Sequence, residues 1–167
     1  MPADVFTVQT VCQGNICRSP MAAAVLRRLL ADAALPAAVA VSSSGTSSEE
    51  AGNPIDPRAA RALARRGYPV DGSHRAHRIT AEEIESVDLI LPATFWQLEA
   101  LRRRGARAGQ AVMLRQFDPA LAGAAPSRRL DLEDPWYGGE ADFEIALDQI
   151  EAAAPGLVEH LRERLAS

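Results

Sequence analysis

A chain of 167 residues, 47% of them hydrophobic, is long enough to bury one core, and a single domain over residues 1–167 is expected. The formal net charge of −4 supplies no general basic field, so neither nucleic acid nor an anionic membrane is an expected partner, and an anionic substrate must be met by local positive groups. All eighteen cations are arginine, which excludes a lysine-bearing nucleotide loop. Two cysteines and three histidines (His74, His77, His160) show no zinc-ligand spacing, and no zinc site is expected. With neither a signal-peptide pattern nor an apolar run of about 18 residues, the expectation is a reduced, cytoplasmic protein.

Residues 5–11 are rich in β-branched side chains and predict a buried strand. Met21, Val25, Leu26, Leu29 and Leu30 then recur at helical spacing, behind Ser19 as N-cap and Pro20 as first helical residue. Residues 39–43 predict a second strand, and residues 57–66 an amphipathic helix on Ala59, Ala60, Leu63 and Ala64, stopped at Gly67. The apolar run 87–91 fits a buried parallel strand, followed by a helix over 95–104 and a fourth strand over 112–114. Residues 118–139, rich in Pro, Gly, Asp and Arg, predict a long loop of the kind that carries function. The remainder, 140–165, is helical, divided by Pro155-Gly156, with Leu157, Val158, Leu161 and Leu165 along one face. Alternating strands and helices predict an α/β protein with a parallel sheet covered on both sides.

The stretch VCQGNICRSP places both cysteines in the turn between the first strand and the first helix. That turn lies at the carboxyl edge of the sheet, where open α/β sheets bind ligands. Gly14 and Asn15 permit the backbone to curl so that its N–H groups point inward, giving a nest for an anion of phosphate size in front of a helix N-terminus. Cys12 at the base of that nest, with the same N–H dipoles and Arg18 nearby, is expected to favour thiolate and act as nucleophile. Arg18 can grip two phosphate oxygens bidentately. A lone C-x5-R is a loose pattern, compatible with buried packing cysteines and a surface arginine; the longer string is far more specific.

That string, C-x-G-N-I-C-R-S-P after an N-terminal strand, resembles the low-molecular-weight protein tyrosine phosphatases. The resemblance extends through Ser43-Ser-Gly-Thr46, Asp56-Pro-Arg58-Ala59, Gly67-Tyr68, Ser73-His74-Arg75-Ala76, Asp88-Leu-Ile90 and Asp131-Leu-Glu-Asp-Pro-Trp-Tyr-Gly138. It implies a four-stranded parallel sheet flanked by helices on both faces, no metal or organic cofactor, and a phosphotyrosine-containing protein or peptide as substrate. It also implies that Asp134, held toward extended geometry by Pro135, protonates the leaving phenol and then activates water. By itself Asp-Pro is more often a turn former. Gln13, Gly14, Asn15, Ile16 and Cys17 would surround the phosphate, and Ser19 matches a hydroxyl bonded to the cysteine sulfur. Asn15, Ser43 and His74 match a polar network bracing the loop. Trp136 and Tyr137 would wall a slot deep enough that phosphoserine falls short of Cys12.

Glu49 stands where many relatives carry an aromatic at the pocket rim, Ala23 replaces a common glutamate, and Pro92-Ala-Thr94 replaces a segment usually ending in aspartate. These departures touch substrate preference, with Glu49 favouring basic residues beside the phosphotyrosine. Three rivals stand beside the tyrosine phosphatase reading. A phosphoarginine phosphatase on the same fold tends to carry threonine where Ile16 stands. An arsenate reductase needs additional cysteines, and a non-catalytic phosphotyrosine-binding module would have lost Cys12, Arg18 or Asp134. A monomer is expected.

Overall fold

The structure, a computed structural model, describes residues 4–35 and 37–167. At its centre β1 (Phe6–Cys12) pairs in parallel with β2 (Val39–Gly45) on one side and with β3 (Leu89–Pro92) on the other, giving the order β2-β1-β3. The register sets Val11 opposite Ser44 and Cys12 opposite Gly45, so both strands end together at the carboxyl edge. Successive side chains point to opposite faces. Val8 and Cys12 of β1 and Leu89 and Leu91 of β3 therefore join one core with α1 (Arg18–Asp32), α2 (Pro57–Arg65) and α5 (Glu140–Ala166). Val11 and Ile90 face the opposite way, into a second core with Ile84 of α3 (Ala81–Ser86) and Leu98 and Leu101 of α4 (Phe95–Arg103). Each fully buried Leu or Ile contributes about 1.5–3 kcal/mol, so the two cores together clamp the central strand. Among the described residues no helix is long and apolar enough to cross a membrane.

The sheet has three strands, not the four expected. Residues 112–114 approach β3 through one parallel bridge, Ile90 to Ala111, in which Ile90 N–H donates to the Gln110 carbonyl and Val112 N–H to the Ile90 carbonyl. A 3-10 turn, Leu114–Phe117, then leads the chain away before a ladder can extend. The long loop after it holds two further 3-10 turns, Pro119–Leu121 and Arg128–Leu130.

Three helical expectations also change. The first helix begins at Arg18 with Cys17 as a cap that makes no side-chain bond, because the Ser19 hydroxyl is committed to the site described below. The last helix runs unbroken through Pro155, whose side of the helix faces solvent, while Gly156 lies so close to the Phe117 carbonyl that a Cβ there would collide with it. Helix α3 was not foreseen. It is too short for an apolar period, yet its capping box, Thr80 with Glu83, stands in the sequence.

Candidate active site

Residues 12–18 leave β1 and wrap into α1, and one non-glycine conformation makes the curl possible: Asn15 has φ of 62°. Asparagine tolerates this left-handed angle better than most side chains. The turn sends the Asn15 amide beneath the loop, where Nδ2 donates to Ser19 Oγ at 2.8 Å and Ser43 Oγ at 3.0 Å, while Oδ1 accepts the His77 N–H at 3.0 Å. His74 Nε2 lies 2.8 Å from the Asn15 carbonyl. Gly14 does not use the left-handed region. A Cβ there would meet Glu50 Cγ at 3.1 Å, a tight contact that a small shift of the Glu50 side chain would have to relieve. Gly45 is more tightly constrained, since a Cβ on it would collide with the Gln13 carbonyl.

Cys12 Sγ lies 3.1 Å from Ser19 Oγ and accepts the Asn15 N–H at 3.3 Å. The Ser19 hydroxyl is also 3.2 Å from the Ser44 carbonyl, tying sulfur, helix start and β2 together. Among the described residues the N–H groups of Gly14, Ile16 and Cys17 donate to no protein acceptor, as an inward-facing anion nest requires. Cys17 is also a free, buried thiol; burial pushes it up, and Asp56 and Cys12 add to that effect. It is therefore no rival nucleophile.

Arg18 is only 6% exposed. Its Nη1 donates to the Leu132 carbonyl at 3.3 Å and its Nη2 lies 3.5 Å from Asp134 Oδ2, so the clamp arginine touches the loop that carries the acid. The other Asp134 oxygen accepts the Trp136 N–H at 3.1 Å, and the carboxylate side chain is 44% exposed. Upstream, that loop is fixed by Leu132 N–H donating to the Ala93 carbonyl and by Asp131 Oδ1 accepting the Phe95 N–H.

Cys12, Gln13, Gly14, Ile16, Cys17, Arg18, Glu49, Asp134, Trp136 and Tyr137 line one cavity of about 280 Å³. Asn15 and Ser19 do not line it; with Ser43 and His74 they brace the loop from behind. Tyr137 is 92% exposed at the mouth. Glu49 Oε1 accepts from Gln13 Nε2 at 3.1 Å, which holds a carboxylate at the rim. Glu50, beside Glu49 on the loop that the resemblance sets against the slot, also lines the cavity; the structural parts played by Gly45 and Arg58 were missed, since both stand in stretches quoted from the sequence but only packing shows what they touch.

A family model described as low molecular weight phosphotyrosine protein phosphatase matches residues 7–167. The chain is 41% identical over 164 residues to the low molecular weight protein-tyrosine phosphatase A of Mycobacterium tuberculosis (strain ATCC 25618 / H37Rv), covering 98% of this chain and 96% of that protein. It is 38% identical over 143 residues to the human low molecular weight phosphotyrosine protein phosphatase, covering 86% and 87%. A crystal structure of a protein tyrosine phosphatase from Entamoeba histolytica with Hepes in the active site superposes with a TM-score of 0.84 at 27% identity, covering 95% and 97%. The chain belongs to the low-molecular-weight phosphotyrosine protein phosphatase family.

Proposed function

We propose that this protein tyrosine phosphatase works through a phosphocysteine formed on Cys12, with Arg18 as phosphate clamp and Asp134 as general acid and then general base. The observation that carries the reading is the convergence of Cys12, Arg18 and Asp134 on one cavity, with Arg18 Nη2 3.5 Å from the Asp134 carboxylate. The phosphoryl group of a phosphotyrosine enters the nest of N–H groups, and the thiolate attacks phosphorus as the bond to the phenolic oxygen breaks. Asp134 gives its proton to that oxygen, so tyrosine leaves neutral. Water then attacks the phosphocysteine, its proton passes to Asp134, and inorganic phosphate departs. Arg18 and the loop amides hold the equatorial oxygens as charge redistributes at phosphorus. Ser19, bonded to the sulfur, stabilises it as leaving group in the second step.

The substrate is a phosphotyrosyl protein or peptide, with Trp136 and Tyr137 beside the ring and Glu49 and Glu50 favouring basic neighbours. We also place the enzyme in the cytoplasm as a monomer, since a nucleophilic thiol works in a reducing compartment. The test is kcat/KM on phosphotyrosyl and phosphoseryl peptides with basic or acidic flanks. Turnover should favour phosphotyrosine and basic flanks and vanish in Cys12→Ser. Metal-free turnover persisting in that variant would sink the reading.

A further inference from the structure

We infer that Arg58, held by Asp56, is a positioning residue that sets the acid loop over the phosphate loop, so that it contributes to turnover through Asp134. The inference rests on the assignment of Asp134 as the general acid.

Asp56 stands between the two loops. Its backbone N–H donates to the Ile16 carbonyl at 2.9 Å, which fixes it to the phosphate loop, and its side chain caps α2 by accepting the Arg58 N–H at 2.8 Å. The same carboxylate receives the guanidinium bidentately, Nε to Oδ1 at 3.1 Å and Nη2 to Oδ2 at 3.0 Å. This leaves Nη1 free to point away. It donates to the Trp136 carbonyl at 3.1 Å and the Gly138 carbonyl at 3.3 Å, two and four residues past Asp134. The guanidinium centre lies 4.8 Å from the Phe143 ring centroid and 5.4 Å from that of Trp136, so ring faces confine it as well.

Trp136 is thus bonded at both ends of its own residue, its N–H to Asp134 and its carbonyl to Arg58. Upstream of the acid the loop is tied to Ala93 and Gln149 through its backbone N–H groups and to Phe95 through the Asp131 carboxylate. Downstream, among the described residues, the hydrogen bonds that 135–138 make outside their own loop are those to Arg58. The chain from Ile16 through Asp56 and Arg58 to Trp136 therefore links the loop that holds phosphorus to the loop that holds the proton. Only a planar fork with several fixed donors can chelate a carboxylate on one edge and reach two carbonyls with the other. Loss of this tie leaves the nucleophile and the clamp in place and loosens the acid, and a displacement of about 1 Å at a catalytic group can cost about 10²-fold.

The experiment measures kcat/KM for phenyl phosphate and 4-nitrophenyl phosphate with wild type, Arg58→Ala, Asp134→Asn and the double variant, alongside competitive inhibition by inorganic phosphate. Arg58→Ala should lose about 10–10²-fold with phenyl phosphate and clearly less with the nitrophenyl ester, whose leaving group needs little protonation. Phosphate inhibition should stay near wild type. Arg58→Ala should add no further loss on the Asp134→Asn background, because both changes remove one function. Arg58→Lys, which keeps the charge against Phe143 but not the fork, is carried through the same comparison and stands in should Arg58→Ala fail to fold. If the Arg58 variants lose equally with both esters, or lose the same factor on the Asp134→Asn background, the inference is overturned while the acid assignment stands. Equal losses with both esters in Asp134→Asn itself would overturn the acid assignment and this inference together.

Discussion

At the scale of single residues, the site works because two cysteines lining one cavity meet different partners. Cys12 has the Asn15 N–H and the Ser19 hydroxyl against its sulfur, whereas burial, with Asp56 and Cys12 nearby, pushes the Cys17 thiol up. Both were visible in the sequence as one string, but only packing separates the nucleophile from its neighbour. Peroxide is expected to oxidise Cys12 to the sulfenic acid, and Cys17 to condense with it, releasing water and leaving a disulfide that thiols reverse. Because the raised Cys17 thiol must reach its thiolate to attack, closure should quicken as pH rises. Mass spectrometry of peroxide-treated protein checks this: wild type should recover with reductant and Cys17→Ala should not, and irreversible sulfonate at Cys12 without a bridge in wild type would count against it. Asn15 was legible from its residue type as tolerating a left-handed turn, whereas its bracing of the loop with Ser43 and His74 came from the resemblance alone.

At the scale of elements, the site depends on two strands ending in register and on loops that approach closely at glycine. Cys12 faces Gly45 across β1 and β2, and β2 leaves no room for a side chain beside the Gln13 carbonyl. Gly45→Ala should therefore push the start of the phosphate loop outward, lowering kcat/KM and costing about 1–3 kcal/mol of stability. Urea denaturation and steady-state kinetics on the same preparation test this, and a variant with wild-type values in both would show that the strand end can yield. The long strands and helices followed from apolar periodicity, with α2 expected from Pro57; Asp56, which the structure shows capping it, was not read as its cap. The fourth strand failed because pairing along 112–114 is decided by the 3-10 turn beyond it rather than by its own β-branched content. Pro155 failed as a helix break because its missing N–H falls on the solvent side, where water can serve the freed carbonyl.

At the scale of the whole molecule, arginine-carboxylate contacts bind the helical layer together. Arg66 reaches Glu144, Asp148 and Glu151 of α5, Arg65 reaches Glu144, and Arg58 holds Asp56 between the two catalytic loops. The hydrogen bond from Arg65, joined by Arg66, lowers the Glu144 carboxyl. Burial pushes Asp56 and Glu83 up, but Arg58 outweighs it for the first, and the Thr80 N–H, Gln9 and His77 outweigh it for the second, so both also lie below their ordinary values. Carboxyls lowered on folding contribute stability that is fully present above their unfolded values of about 4 and is lost as pH falls through the folded ones. The urea midpoint should therefore drop below about pH 4, and Glu144→Gln should be less stable at pH 7 but show a smaller acid drop. An unchanged drop in that variant would remove Glu144 from the account. The charge pattern gave no sign of the Arg65 and Arg66 pairings, since those partners lie some 80 positions apart in the chain. The central claim is covalent, and rapid acid quench of the Asp134→Ala enzyme turning over 4-nitrophenyl phosphate tests it most directly. Phosphorylation by a good leaving group should outpace hydrolysis without the base, so peptide mass spectrometry should find one phosphoryl group on Cys12. Turnover with no phosphoenzyme at any time point, or with the phosphoryl group on another residue, would contradict it.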